Sequence, residues 1–412
     1  MKKSIVKITF VQLLLLLIPI TVNIYLLRII SLDVYGQFIF YQSVFNFLSI
    51  LINSGLANDS LRDLSFHYGK EKFIIKLNEY ISAKLFYLGL SIIFCLIVSL
   101  NNNFNNILFY VSFTYLFYFF FDFMILYQVM DKIGTNLNIN LVSFLFTVCG
   151  LFLFVQNDSD IIYVPLIATI PFIIINFLVL SLILKKNSFF FKFNISLLIC
   201  KIKNNLKIMV SNIISAIVTK GIFIFIGIFL DMRAVAVYSV LDQIVRAPLI
   251  FINRYSSLFT PKITSKILLN DLVGVKLLFS KIFMSVLLLS ISTIIILMQL
   301  SDFILPFFLK ENYNETIKTL FFIMLLCIPL ISLSSLCSVQ YHINLHNEYL
   351  IFRYSLFLLF LGFPLILLFM YLFQIYGLII CYITIEFLVT LYFFIKLEFN
   401  PIRVFYEYIH VK

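Results

Sequence analysis

The chain has 412 residues, of which 62% are hydrophobic and 12% charged, and its mean hydropathy is +1.08. A soluble protein runs near half apolar and a quarter charged, so a water-soluble fold is excluded. The net charge of +11 fits anchoring against anionic lipid headgroups rather than nucleic-acid binding.

Only helices and closed barrels satisfy their backbone in lipid. Runs such as Val11 to Ile20 and Ile291 to Leu300 are continuously apolar, without the alternation of barrel strands. An all-α polytopic membrane protein is expected. Lys2 and Lys3 followed by Leu13 to Leu17 imitate a signal peptide, but Pro19, Asn23, Tyr25 and Arg28 follow instead of a small-residue cleavage site. The segment reads as an uncleaved first helix.

Apolar runs set against polar breaks predict twelve helices near 8–27, 37–57, 80–100, 107–130, 138–155, 161–184, 208–230, 234–257, 281–300, 319–341, 350–373 and 376–396. Five Asn among residues 101–106 and the acidic stretch Gln156 to Asp160 make the clearest breaks. No room remains for a soluble domain. With the N-terminus inside, the inner segments hold 24 Lys and Arg, among them Arg62, Lys70, Lys72, Lys76 and Lys84. The outer segments hold four: Arg28, Arg233, Lys310 and Lys318. The asymmetry predicts cytoplasmic termini.

The loop Lys185 to Lys207 divides the chain into two six-helix lobes, 1–203 and 204–412. A shift of 201 residues sets Val34, Gln42 and Val44 beside Val235, Gln243 and Val245. Six helices per half give both lobes one orientation, so a central cavity between them is expected.

An ionisable group at bilayer depth costs at least about 2.5–3.5 kcal/mol and is a functional candidate by default. Lys220 falls near the middle of the seventh helix, before Gly221. Arg246 lies four residues after Asp242 on one face of the eighth. Glu386 is central in the twelfth, and Asp122 lies in the aromatic run of the fourth. Asp242 and Arg246 either neutralise each other or serve a ligand. Glu386 and Asp122 are either interhelical partners of the cations or sites for a coupling proton or Na+. Arg28, at the outer end of helix 1, reads as a snorkelling anchor and a candidate entrance residue. Two mid-membrane cations in the second half favour an anionic cargo such as phosphate or pyrophosphate.

The prolines within spans, Pro19, Pro165, Pro171, Pro248, Pro329 and Pro364, bend helices. Six scattered cysteines contain no CxxC pair, and His342 and His346 flank Ile343 where a zinc site needs Glu. The four histidines read as interfacial. No metal, cofactor or catalytic role is expected. There is no phosphate-binding GxxxxGK[ST] loop, so an ion gradient or the cargo's own gradient would drive transport.

The stretch YLLRIISLDVYGQF (25–38), continuing through INSGLANDSLRDLS (52–65), resembles the start of the Wzx-type O-antigen and polysaccharide flippases, through Arg28, Asp33, Tyr35, Gly36, Gly55 and Arg62. The stretches at 237–264, ending near Pro261, at 305–324 and at 127–134 resemble later blocks of the same family. Ala236-Val237-Tyr238-Ser239 departs from the family's Gly-x-Tyr-Ala-like start of helix 8.

The resemblance implies membership of the multidrug/oligosaccharidyl-lipid/polysaccharide superfamily and a place in the bacterial inner membrane. It implies a flippase that moves an undecaprenyl-pyrophosphate-linked oligosaccharide to the periplasmic leaflet, for O-antigen, lipopolysaccharide or capsule synthesis. Lys220 and Arg246 would meet the pyrophosphate, Asp242, Glu386 or Asp122 would take a coupling proton or Na+, and a glycan polymerase and a chain-length regulator would be partners. A multidrug or metabolite antiporter of the same superfamily is the first alternative. A membrane glycan polymerase or acyltransferase is the second, weakened by the short outer segment Ser301 to Lys318.

Overall fold

A computed structural model describes residues 21–53, 57–68, 72–100, 104, 106–186, 209–210, 212–214, 216–217, 220–269, 271–343, 348–397 and 399–410. Among them every regular element is a helix. Most of the helix predicted at 8–27, the loop 187–207, Pro19 and Cys200 lie outside the described residues.

Among the described residues, eight helical segments are long and apolar enough to cross a membrane. The last, Phe352–Ile395, covers two predicted spans. It breaks at Gln374, whose φ of 53° leaves the helical region, and Gly377 turns so tightly that a Cβ there would meet the Phe369 carbonyl at 2.0 Å. The polar breaks do local work as well. Asn106, Asp271 and Asn314 each accept a backbone N–H of the helix they precede, satisfying donors that a helix start leaves open. Lys266 and the Gly274 N–H hold the exposed Asp271 carboxyl below the usual carboxylate range.

The chain forms two compact units, residues 1–236 and 237–412. In the first, α1 (21–29) is followed by α2 (Leu32–Asn53), α3 (Ala57–His67), α4 (Lys72–Ser99), α5 (Ile107–Val111), α6 (Thr114–Phe121), α7 (Met124–Val129), α8 (Ile133–Phe154), α9 (Tyr163–Lys186) and α10 (Gly221–Phe229). Helix α2 packs on α4, α6 and α10. Two glycines make its contacts close: a Cβ on Gly36 would lie 1.8 Å from the Met232 carbonyl oxygen, and one on Gly227 2.3 Å from the Phe40 ring. Polar cross-links add to this apolar core. The Gln42 amide donates to Tyr115, and the Tyr127 hydroxyl to Asn176.

Helix α11 (Met232–Ser257) starts within the first unit. The second unit continues with α12 (Thr260–Leu268), α13 (Leu272–Gln299), α14 (Ser301–Leu309), α15 (Glu315–Leu325), α16 (Cys327–Ser335), α17 (Glu348–Phe357), α18 (Phe363–Ile395) and α19 (Pro401–His410). Wider π-helical turns occupy Leu336–Ile343 and Leu358–Gly362. Helix α16 packs between α13 and α18, joined by the Ser290–Ser332 hydroxyl pair at 2.8 Å and by Thr390 donating to the Leu330 carbonyl.

Candidate functional site

In the second unit the eighth predicted span brings two charges together. The i, i+4 spacing of Asp242 and Arg246 puts both on one face of α11. The Arg246 Nε donates to both carboxylate oxygens, at 2.7 and 2.6 Å. The Asp242 side chain is 10% exposed and that of Arg246 38%. Because Nε alone makes this contact, the two terminal guanidinium nitrogens form no hydrogen bond among the described residues. The carboxylate therefore orients the guanidinium and leaves its outer fork for another acceptor, the geometry that suits a phosphate.

Around this pair the helices supply groups that polarise it. Tyr238, one turn before Asp242, is 1% exposed, and Tyr382 on α18 is 2% exposed. Glu386, half-buried one turn after Tyr382, lies in the electrostatic field of Arg246, with Tyr382 as a hydrogen-bond partner. Cys327, at the start of α16, is 1% exposed and senses both Glu386 and Asp242. The unit thus holds two carboxylates around one cation. The sequence marked Asp242, Arg246 and Glu386 as candidates; it did not mark Tyr238, Tyr382 or Cys327, which read as ordinary apolar-run residues.

The first unit holds a different arrangement, built on a residue that the sequence reading counted only as an inner-side charge. Lys84 falls at the inner end of the third span when that span is drawn from residue 80. The helix in fact begins at Lys72, so Lys84 lies a dozen residues inside it and is 0% exposed. Lys76 and Glu79 pair at 2.9 Å in its first turns, which lets a polar stretch continue the helix. Lys84 falls on the stripe of Leu77, Tyr80, Tyr87 and Ser91, all buried, and that spacing was the available signal.

Its ammonium group meets a fault in the fourth predicted span. Rather than one helix through Asp122, the chain runs α6, a break at Asp122 (φ −75°, ψ 94°), then α7. The break exposes carbonyls that a continuous helix would use. Lys84 Nζ donates to the Asp122 and Phe119 carbonyl oxygens, at 2.7 and 3.1 Å, and lies 4.7 Å from the centre of the Phe123 ring. The Asp122 carboxylate instead accepts the Met124 N–H and adds its charge to the same neighbourhood.

The remaining candidates are apart from these clusters in sequence and surroundings. Lys220 is exposed at the start of α10, in the first unit. Arg28 is exposed on α1, near Ser31, whose N–H is held by Asp158. His342, read as interfacial, is 1% exposed in the π-helical turn, where Nε2 lies 3.4 Å from the Phe393 carbonyl. No group of three metal-ligating side chains occurs among the described residues.

Comparison with known proteins settles the kinship of this geometry. The family described as polysaccharide biosynthesis protein matches residues 1–265. The chain belongs to that family. Among solved structures it is similar to the lipid II flippase MurJ in an inward closed conformation, at 15% identity over 98% of this chain and 89% of that one, with a TM-score of 0.77. It is also similar to an inward-facing multidrug-resistance MATE transporter of the MOP superfamily, at 9% identity, 93% and 94% coverage and a TM-score of 0.71. A MATE transporter of Vibrio cholerae, VcmN, follows at 13% identity, 100% and 97% coverage and a TM-score of 0.61. A search of curated protein sequences found no match. The fold of this polysaccharide biosynthesis family member is that of a polytopic transporter.

Proposed function

We propose that the protein is a flippase that carries a polyprenyl-pyrophosphate-linked oligosaccharide across a bacterial inner membrane, from the cytoplasmic to the periplasmic leaflet, for surface-glycan synthesis. The observation that carries this reading is Arg246, held through Nε by Asp242, with its terminal nitrogens making no hydrogen bond among the described residues. Family membership and the likeness to a structure called a lipid II flippase support it.

A glycan cannot cross hydrocarbon unaided, because its hydroxyls lose their water partners at several kcal/mol each. A protein path supplies polar surface while the prenyl tail stays in lipid. Arg246 and Lys220, both in the second six-helix lobe (204–412), would offset the pyrophosphate charge, and alternating access of the lobes would move it. Glu386 and Asp242, beside Arg246, and Asp122 in the other lobe are the candidates for a coupling proton or Na+. Both termini would face the cytoplasm. Polymerase and chain-length regulator would act on the delivered product.

Deleting the gene tests this directly. Lipid-linked repeat units should accumulate on the cytoplasmic leaflet, and surface glycan should disappear. Unchanged surface glycan without a build-up of intermediates would refute the reading.

A further inference from the structure

Helix α2 reads DVYGQFIFYQSVFNFLSILIN from Asp33 to Asn53, with no charged residue after Asp33. In its second half Gln42, Asn46, Ser49 and Asn53 recur at intervals of four, three and four. That spacing lines one face of a helix. All four are half-buried, and from Val34 to Asn53 no residue of α2 is exposed. Helices α4, α8 and α9 differ, turning outward large apolar groups such as Phe94, Leu145, Phe146 and Phe177, as lipid-facing helices do. The polar face of α2 is turned away from lipid.

These polar groups are only partly used. The Gln42 amide donates to the Tyr115 hydroxyl at 3.1 Å, and the Ser49 hydroxyl to the Asn46 backbone carbonyl at 2.6 Å. The Gln42 side-chain oxygen and the side-chain amides of Asn46 and Asn53 make no hydrogen bond among the described residues. An amide carries two donors and an acceptor, and leaving them unpaired in hydrocarbon is costly. Polar groups at this depth therefore face water or a polar ligand. The row runs about 16 Å, from Gln42 at the middle of the helix to Asn53 at its end. Toward the start of α2 the same face carries Tyr35, Phe38 and Ile39, all buried, so the polar track stops at mid-span.

We propose that this track receives the sugars of the lipid-linked cargo, with the amides of Gln42, Asn46 and Asn53 pairing with hydroxyl groups of an uncharged oligosaccharide; this rests on the flippase reading. The chemistry of the row selects the occupant. It has no charge, so an ion or a pyrophosphate finds no counter-charge there. A prenyl or acyl chain would leave every amide unpaired. A packed helix would bury the row along its whole length, whereas all four residues keep accessible surface. A sugar hydroxyl both donates and accepts, as a primary amide does. With cytoplasmic termini α2 runs inward, so sugars arriving from the cytoplasm meet Asn53 first and Gln42 last. The buried aromatic and aliphatic groups beyond Gln42 close the track on its outer side.

The test uses the purified full-length chain in detergent with two probes: bare undecaprenyl pyrophosphate, and the same lipid carrying the repeat unit of the host's own surface glycan. Native mass spectrometry reads retention of each, and thermal unfolding reads stability. The wild type should retain the glycosylated lipid at least fivefold better than the bare one. The double variant Asn46→Leu with Asn53→Leu removes two amides that hold nothing in the fold. It should lose that preference while melting temperature and retention of the bare lipid stay unchanged, and Asn46→Gln with Asn53→Gln should restore most of it. A preference that survives in the leucine variant overturns the track. Loss of stability and of both lipids together makes the row a helix contact and overturns it as well. Equal retention of the two probes by the wild type overturns the sugar assignment alone, whereas retention of neither overturns the flippase reading itself.

Discussion

Lys84 Nζ lies 2.7 Å from the backbone carbonyl oxygen of Asp122, joining the interior of α4 to the break between α6 and α7. The contact is to the peptide group, while the carboxylate of the same residue accepts the Met124 N–H. A buried cation here fills carbonyls that the interrupted helix leaves open, so the break and the lysine depend on each other.

Lys84→Met should therefore destabilise the protein by about 2–4 kcal/mol, since two buried acceptors lose their donor at roughly 1–3 kcal/mol each, partly relieved by relaxation. Asp122→Asn keeps both carbonyls and should cost less than half as much. Thermal unfolding in detergent measures both. An Asp122→Asn loss as large as that of Lys84→Met would mean that the carboxylate charge, not the carbonyl pair, holds the lysine.

Asp242 and Arg246 make a separable prediction. Arg246→Gln alone leaves a nearly buried carboxylate without its cation and should lower stability by about 1–3 kcal/mol, less than a fully buried pair because the arginine is part-exposed. Asp242→Asn combined with Arg246→Gln should recover most of that stability yet still fail to transport. Melting temperature and surface-glycan output, measured on the same variants, separate the two roles. Normal output from the double variant would reduce the pair to a structural one.

Gly36 and Gly89 form a matched pair of controls. A Cβ at Gly36 meets the Met232 carbonyl, whereas one at Gly89 meets nothing within 4 Å. Gly36→Ala should force α2 away from the start of α11 and lower the folded yield severalfold. Gly89→Ala should be neutral or stabilising by up to about 1 kcal/mol, through helix propensity. Fluorescence size-exclusion profiles of the two variants check this.

These residues also show what the chain reveals without its fold. The apolar runs located the spans, because lipid demands about 20 apolar residues per helix, and the polar Gln374 marked where one long helical run turns. Asp242 with Arg246 was legible because i, i+4 spacing is a local property. The helix break at Asp122 was not: the run Phe119 to Phe123 contains no Gly or Pro to signal it, and the break is held by a lysine about forty residues earlier. Lys84 itself was hidden by neighbours, since Lys72, Lys76 and Glu79 make the start of α4 resemble a loop until their ion pair is seen. His342 sits near a polar segment in sequence, yet a π-helical turn and the Phe393 carbonyl enclose it. Local pattern thus gave elements and i, i+4 pairs, while long-range electrostatic contacts required the packed structure.

The central claim is that mid-membrane cations carry a pyrophosphate-linked glycan. Its most direct measurement is flipping of a fluorescent polyprenyl-pyrophosphate oligosaccharide in proteoliposomes of wild type, Lys220→Ala and Arg246→Ala. The account predicts rapid movement by the wild type and at least a tenfold slower rate in each variant at equal folded protein. Equal rates in all three, or no movement by the wild type, would contradict it.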